Sequence, residues 1–169
     1  SPAQGIHGMQ MITEGDKQFI YGAQLNAYGK ANKHKRAVKL DLDGNIVMTI
    51  PNKDTGKIPG GLNGITGIAV APDGHIFVSM GYGSNLIHKF DKAGKIVKSF
   101  GGKGGEKEKF KTCHGLGIDT RCGEPRLLVG DREKRRLGHL DLDRNWIGEH
   151  ATGLRLPCAV SFHGDHVAV

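Results

Sequence analysis

Nine histidines are spread over the 169 residues, and two of them stand in the same local phrase, His7-Gly8-Met9 and His114-Gly115-Leu116. A neutral imidazole is a good zinc ligand, and three of them around one ion leave the fourth tetrahedral position open for water or substrate. Two histidines in matching settings are therefore the first pair to suspect of metal chemistry. The competing reading is structural: a His-Gly pair can simply open a strand, its imidazole satisfied by neighbouring polar groups. The three cysteines, Cys113, Cys122 and Cys158, form no Cys-x-x-Cys pair. At least one must stay unpaired and a Cys113 to Cys122 bridge is left open, so the redox compartment is undetermined.

Which reading holds depends on the elements that carry these residues, and a repeat organises them. Gly67-Ile-Ala-Val-Ala-Pro-Asp-Gly-His-Ile-Phe-Val78 reads as strand, turn, strand; Leu86-Ile-His-Lys-Phe90 and Lys95-Ile-Val-Lys-Ser-Phe100 add two more strands around a turn at Asp91 to Gly94. The same four-strand layout recurs from Gly115 through Trp146-Ile147, and earlier from Gly8 to Ile50 with a longer insertion. A fourth copy begins at Ala159 and stops at Val167-Ala-Val169. A period of about 40–50 residues with four strands per unit is the pattern of a β-propeller blade. The sequence predicts an all-β propeller in blades at about 6–58, 62–106 and 110–153, with an incomplete blade over 155–169. The whole would be six-bladed, the remaining blades lying outside these residues.

In such a ring the first strand of each blade lines the central channel. The residue opening it stands near one mouth, and those positions are His7, Thr66, His114 and Cys158. His7 and His114 are two blades apart. A third His two blades further on would complete a threefold arrangement, beyond Val169. His34, His75, His88, His139, His150, His163 and His166 fall on turns or outer strands and are left off the metal.

Composition narrows the classes. Glycine is 27 of 169 residues, about twice its ordinary share, which suits many tight turns between short strands. With 37% hydrophobic residues the chain can fill a core, and no apolar run approaches the roughly 20 residues of a membrane-spanning helix. Lys plus Arg 24 against Asp plus Glu 17 gives a net charge of +7, which attracts anions. The basic residues nevertheless gather in Lys30 to Lys39 and Lys98 to Lys111, Gly-rich or polar stretches in which only Phe100 and Phe110 are aromatic, which argues for solvated loops over a nucleic-acid stacking platform.

The second repeat resembles the NHL-repeat propellers. Three further segments resemble the peptidyl-α-hydroxyglycine α-amidating lyase family: Ile76-Phe-Val-Ser-Met-Gly-Tyr-Gly-Ser-Asn-Leu-Ile-His-Lys-Phe90, Thr112-Cys-His-Gly-Leu116 and Leu128-Val-Gly-Asp-Arg-Glu-Lys-Arg-Arg-Leu137. The resemblance covers most of residues 6 to 160, about half of that lyase domain. It implies a catalytic zinc with His7 and His114 as two of its three ligands, and a structural calcium in the channel bound by the carbonyl of Met9. It implies Tyr82 as general base and Arg132 as the residue handling substrate charge. The substrate at the channel mouth would be a small molecule or peptide, a carbinolamide that collapses to an amide and glyoxylate, and the location secreted or periplasmic. A cation beside a phenol favours its ionised form, which such a base requires.

The chain also departs from that family. Met80 stands where an Asp is usual, two residues before the tyrosine, and Gly83 where a disulfide Cys is usual. On the residues alone, Tyr82 can equally be a turn aromatic packed at the mouth, and Asp131-Arg132-Glu133 an ion pair between blades. Arg135 and Arg136 read as solvated. The alternative to an enzyme is a non-catalytic NHL scaffold that binds protein or anionic ligands at its basic mouth.

Overall fold

A computed structural model describes residues 5–25, 35–121 and 123–169; Cys122, His34 and the start of the basic run at Lys30 lie outside the described residues. Strands β1 (Ile6–Glu14), β2 (Lys17–Gln24), β3 (Arg36–Leu40) and β4 (Ile46–Ile50) form one antiparallel sheet in sequence order. Strands β5 (Gly67–Val70), β6 (Ile76–Ser79), β7 (Leu86–Phe90) and β8 (Ile96–Gly101) form a second. A third contains β9 (Cys113–Asp119), β10 (Arg126–Asp131), β11 (Arg136–Asp141) and β12 (Trp146–Thr152), and β13 (Ser161–His163) pairs with β14 (His166–Ala168). No helix occurs among the described residues. The innermost strands β1, β5 and β9 lie beside one another, and β13 touches β9. The all-β reading and its four-strand unit therefore hold.

Period-2 alternation explains the packing. In the second sheet Ile68, Val70, Ile76 and Val78 face the first sheet, where they meet Tyr21, Ala37 and Ile50. The intervening Ala69 and Phe77 face the third sheet with Leu116, Ile118 and Leu127. Burial on both faces is why Ile76-Phe-Val-Ser79 reads as an unbroken apolar run, every residue of it buried. β1 instead alternates: Gln10 and Ile12 are half-buried while Met9 and Met11 are exposed, so one face of the first sheet has no partner among the described residues.

The outer hairpins repeat atom by atom. Asp41, Asp91 and Asp141 each accept the amide of the residue four places on, at 2.7, 3.0 and 2.8 Å. Each turn then needs one left-handed residue, at Gly44 (φ 85°), Gly94 (φ 82°) and Arg144 (φ 83°). Only the third blade pays a steric cost there, because Arg144 carries a Cβ that the left-handed region disfavours. Arg144→Gly is expected to stabilise the chain by about 1 kcal/mol, read as a raised midpoint in urea at unchanged slope; a lower midpoint would refute the strain.

Two sequence expectations change. Arg136 is not solvated: it is buried, its Nε donating to the buried Asp131 at 2.9 Å, with Glu149 and the Lys107 and Lys109 carbonyls as further partners and Trp146 beneath its guanidinium. The register sets Asp131 directly opposite Arg136, a pairing across two strands. His88 and His139 are likewise buried, on the third strands of their sheets rather than on the surface. Burial pushes the His88 imidazole down to about 4.

Candidate functional site

Each blade begins with the same contact, and that contact builds the site. At Gly8 a Cβ would lie 2.7 Å from the Thr66 carbonyl oxygen, at Gly67 2.6 Å from that of His114, and at Gly115 2.8 Å from that of Cys158. Glycine is required because each inner strand presses against the carbonyl that opens the next one. These four strand starts, His7 to Met9, Thr66 to Ile68, His114 to Leu116 and Cys158 to Val160, line a cavity of about 190 Å³.

The same carbonyls orient the histidines. His7 Nδ1 lies 2.8 Å from the Thr66 carbonyl oxygen and His114 Nδ1 2.8 Å from that of Cys158. A carbonyl only accepts, so each Nδ1 must carry its proton, and in the neutral ring each Nε2 must then present a lone pair. Burial holds the His114 imidazole below its usual range, and the neighbouring His7 and Arg132 push the same way, against the Cys158 carbonyl and Glu133. The two rings stand 4.8 Å apart between centroids, each 5.3 Å from the Tyr82 ring.

Both Nε2 atoms converge on the Tyr82 hydroxyl, His114 at 2.7 Å and His7 at 3.3 Å. The phenol has one proton for two lone pairs. The short bond to His114 takes it, leaving His7 Nε2 facing an oxygen lone pair. A cation at the convergence point removes that conflict, because a divalent metal accepts both imidazoles and the phenol oxygen faces positive charge. Backbone carbonyls fixing the Nδ1–H tautomer are also the usual outer partners of metal-bound histidine. Two imidazole nitrogens of this kind are donors that zinc accepts. Among the described residues no group of three or more His, Cys, Asp or Glu could hold a metal.

The Tyr82 loop is as tightly specified. Tyr82 N donates to the Gly64 carbonyl at 3.0 Å. A Cβ at Gly81 would approach the Cys113 carbonyl oxygen to 2.4 Å, and one at Gly83 the Asn63 carbonyl oxygen to 2.1 Å. A cysteine at position 83 would collide with that backbone, so the family's disulfide has no room here. Met80 is wholly buried in the core between the first two sheets; its side chain never faces the mouth. Tyr82 itself is half-exposed, open to an incoming ligand.

Arg132 stands in the loop after β10, its amide bonded to the Thr112 carbonyl at 3.0 Å and its Nη1 to Glu133 at 2.9 Å. Cys158 and Glu133 both favour its charged form. Met9 borders the cavity, its side chain exposed. His7, His114 and Tyr82 are thus brought into direct contact, Arg132 lies close enough to bias His114, and Met9 lines the cavity. Sequence reading missed Thr66 and the Cys158 carbonyl as holders of the imidazoles; their place in the repeat, matching that of His7 and His114, was the available signal. Cys113 is a buried free thiol, and Cys158 an exposed one.

No family model and no curated protein matches the sequence. Solved structures do. Virginiamycin B lyase from Staphylococcus aureus is 18% identical with a TM-score of 0.56 over 92% of this chain and 45% of its own. A streptogramin B lyase is 20% identical, TM-score 0.56, over 95% and 45%. The U3-55K structure is 17% identical, TM-score 0.63, over 92% and 42%. These neighbours share one architecture of four-stranded antiparallel sheets. The chain has the β-propeller fold. It spans less than half the length of these three propellers, and at such identities the likeness speaks for fold alone.

Proposed function

We propose that this chain carries part of the active centre of an NHL-type, zinc-dependent peptidylamidoglycolate lyase, which cleaves a peptidyl-α-hydroxyglycine to a peptide amide and glyoxylate. The observation that carries the reading is the convergence of two neutral Nε2 atoms on one phenol, each ring held by the backbone of the next blade. Support for a lyase in general comes from the neighbouring propellers named virginiamycin B lyase and streptogramin B lyase. The wider segment resemblance around Tyr82, His114 and Arg132 supports the finer assignment.

Zinc, when bound, supplies Lewis acidity that polarises the substrate's oxygen and makes its hydroxyl a better acid. His7 and His114 would hold it through their Nε2 atoms. Tyr82, half-exposed over the cavity, takes the proton from the carbinol hydroxyl. The freed electron pair forms the glyoxylate carbonyl, the C–N bond breaks, and the amide nitrogen keeps that bond's pair and gains a proton. The reaction has no net redox change. Arg132 faces the carboxylate of the glycolate unit, and its anchoring by Glu133 fixes the direction of approach. A calcium bound through the Met9 carbonyl would neutralise inward-facing carbonyl dipoles at the axis.

Elemental analysis of the full chain is expected to find one zinc, lost in His7→Ala and in His114→Ala. Glyoxylate release from an α-hydroxyglycine peptide should fall by about a hundredfold or more in Tyr82→Phe while zinc is retained. A zinc-free protein of normal fold would overturn this reading and favour the non-catalytic scaffold.

A further inference from the structure

We infer that Thr66 is a positioning residue that holds His7, His114 and Tyr82 in one geometry; the inference rests on the metal-site reading above. Thr66 opens the second blade, in the place where the first and third blades carry a histidine, and it is buried. It offers no ring to the cavity. Its amide donates to the Ser79 carbonyl at 2.9 Å, while its carbonyl and hydroxyl serve the three site residues. Its carbonyl accepts from His7 Nδ1 at 2.8 Å. Its hydroxyl donates to the carbonyl of Cys113 at 2.8 Å and accepts from the amide of Gly81 at 3.1 Å. Cys113 is the residue before His114, and Gly81 the residue before Tyr82.

The hydroxyl has one proton and two lone pairs. With its proton committed to Cys113 and one lone pair to Gly81, the second lone pair meets Ser79 Oγ at 2.9 Å. Ser79 Oγ also lies 3.2 Å from the His114 carbonyl oxygen. The bonding capacity of Thr66 is therefore filled by neighbours of the site, in a buried setting where an unmade bond is costly. Valine has nearly the same shape but would remove the hydroxyl's bonds to the Cys113 carbonyl and the Gly81 amide together. Relaxation of either moves a site residue, because each is bonded directly to one. The Thr66 carbonyl, released from the clamp on its own side chain, would no longer fix the His7 ring. A purely structural threonine would lower stability alone; a positioning residue also changes what the imidazoles do.

Zinc affinity of the folded full chain is measured by competition with a chelator, and the ring-nitrogen ¹⁵N shifts of His7 and His114 are measured in zinc-free protein. Thr66→Val should weaken zinc by about tenfold or more and move His7 from the Nδ1–H form toward the mixture of free imidazole. Thr66→Ser, which keeps the hydroxyl, should restore affinity to within about threefold and return the His7 shifts. Affinity and shifts unchanged in Thr66→Val, with only stability lowered, would overturn the inference. Should Thr66→Val not fold, Thr66→Ala removes the same hydroxyl with a smaller side chain, and wild-type affinity and shifts there overturn it equally. If the wild-type chain binds no zinc, the metal reading fails, while the ¹⁵N shifts of the zinc-free variants still decide whether Thr66 positions the rings.

Discussion

Arg136→Leu is expected to cost about 3–5 kcal/mol of folding free energy. The guanidinium is enclosed between the third sheet and the 102–111 loop, donating to Asp131 and Glu149 and to the carbonyls of Lys107 and Lys109. Leucine would fill part of the volume above Trp146 but leave the Asp131 carboxylate buried with the Lys111 amide, at 2.7 Å, as its remaining short partner. Burial already raises the Asp131 carboxyl above its usual range, against the opposing pull of Lys111 and Arg136. Removing Arg136 takes away part of that opposition. A carboxyl whose folded-state pKa lies above its unfolded one binds more protons when folded, so the variant gains stability as pH falls toward that raised value and loses it as pH rises past it. Urea titrations at pH 7 and pH 5 should show the deficit shrinking at the lower pH. The double variant Asp131→Asn with Arg136→Leu should recover much of the loss. A single-variant cost under about 1 kcal/mol would mean the pair behaves as an exposed one, contrary to its burial.

Gly67→Ala acts on the site rather than on charge. The added Cβ would stand 2.6 Å from the His114 carbonyl oxygen, 3.0 Å from Ser79 Oγ and 3.2 Å from the Leu116 amide nitrogen. The first and third are backbone of the neighbouring blade, which cannot rotate away as a flexible side chain can. The second blade must therefore move off the third at the level of His114. Overpacking of this kind costs about 1–3 kcal/mol. On the proposed lyase reading the functional cost is larger, because a displacement near 1 Å between reacting groups is worth about a hundredfold in rate. His114 and Tyr82 belong to the two blades being separated, and their 2.7 Å bond is the contact that lengthens. Glyoxylate release and zinc affinity in Gly67→Ala, compared with Gly105→Ala where an added Cβ meets nothing, check this. Equal activity in the two variants would show that the blade contact does not set the site.

Much of the fold was legible because its cause is local and repeated. Asp41, Asp91 and Asp141 each close a turn with their own following residues, so the hairpins announce themselves in the chain. The alternation of Ile76, Phe77 and Val78 between two cores follows from strand geometry. The histidine pair was legible through its place in that repeat. Arg136 was not: its partners come from the facing strand and from the loop before the blade, and nothing within a few residues distinguishes it from the solvated Arg135.

By itself the sequence determined the blade, its period, its turns and the equivalence of His7 and His114, all consequences of short-range backbone preferences and alternating burial. The tertiary structure alone decided that these rings meet at one hydroxyl, that their Nδ1 protons face carbonyls and their Nε2 atoms face the Tyr82 oxygen, and that a threonine between them ties the arrangement together. Those facts depend on carbonyls of one blade reaching rings of another, and the direction of a hydrogen bond between distant segments is set by packing that no local pattern encodes.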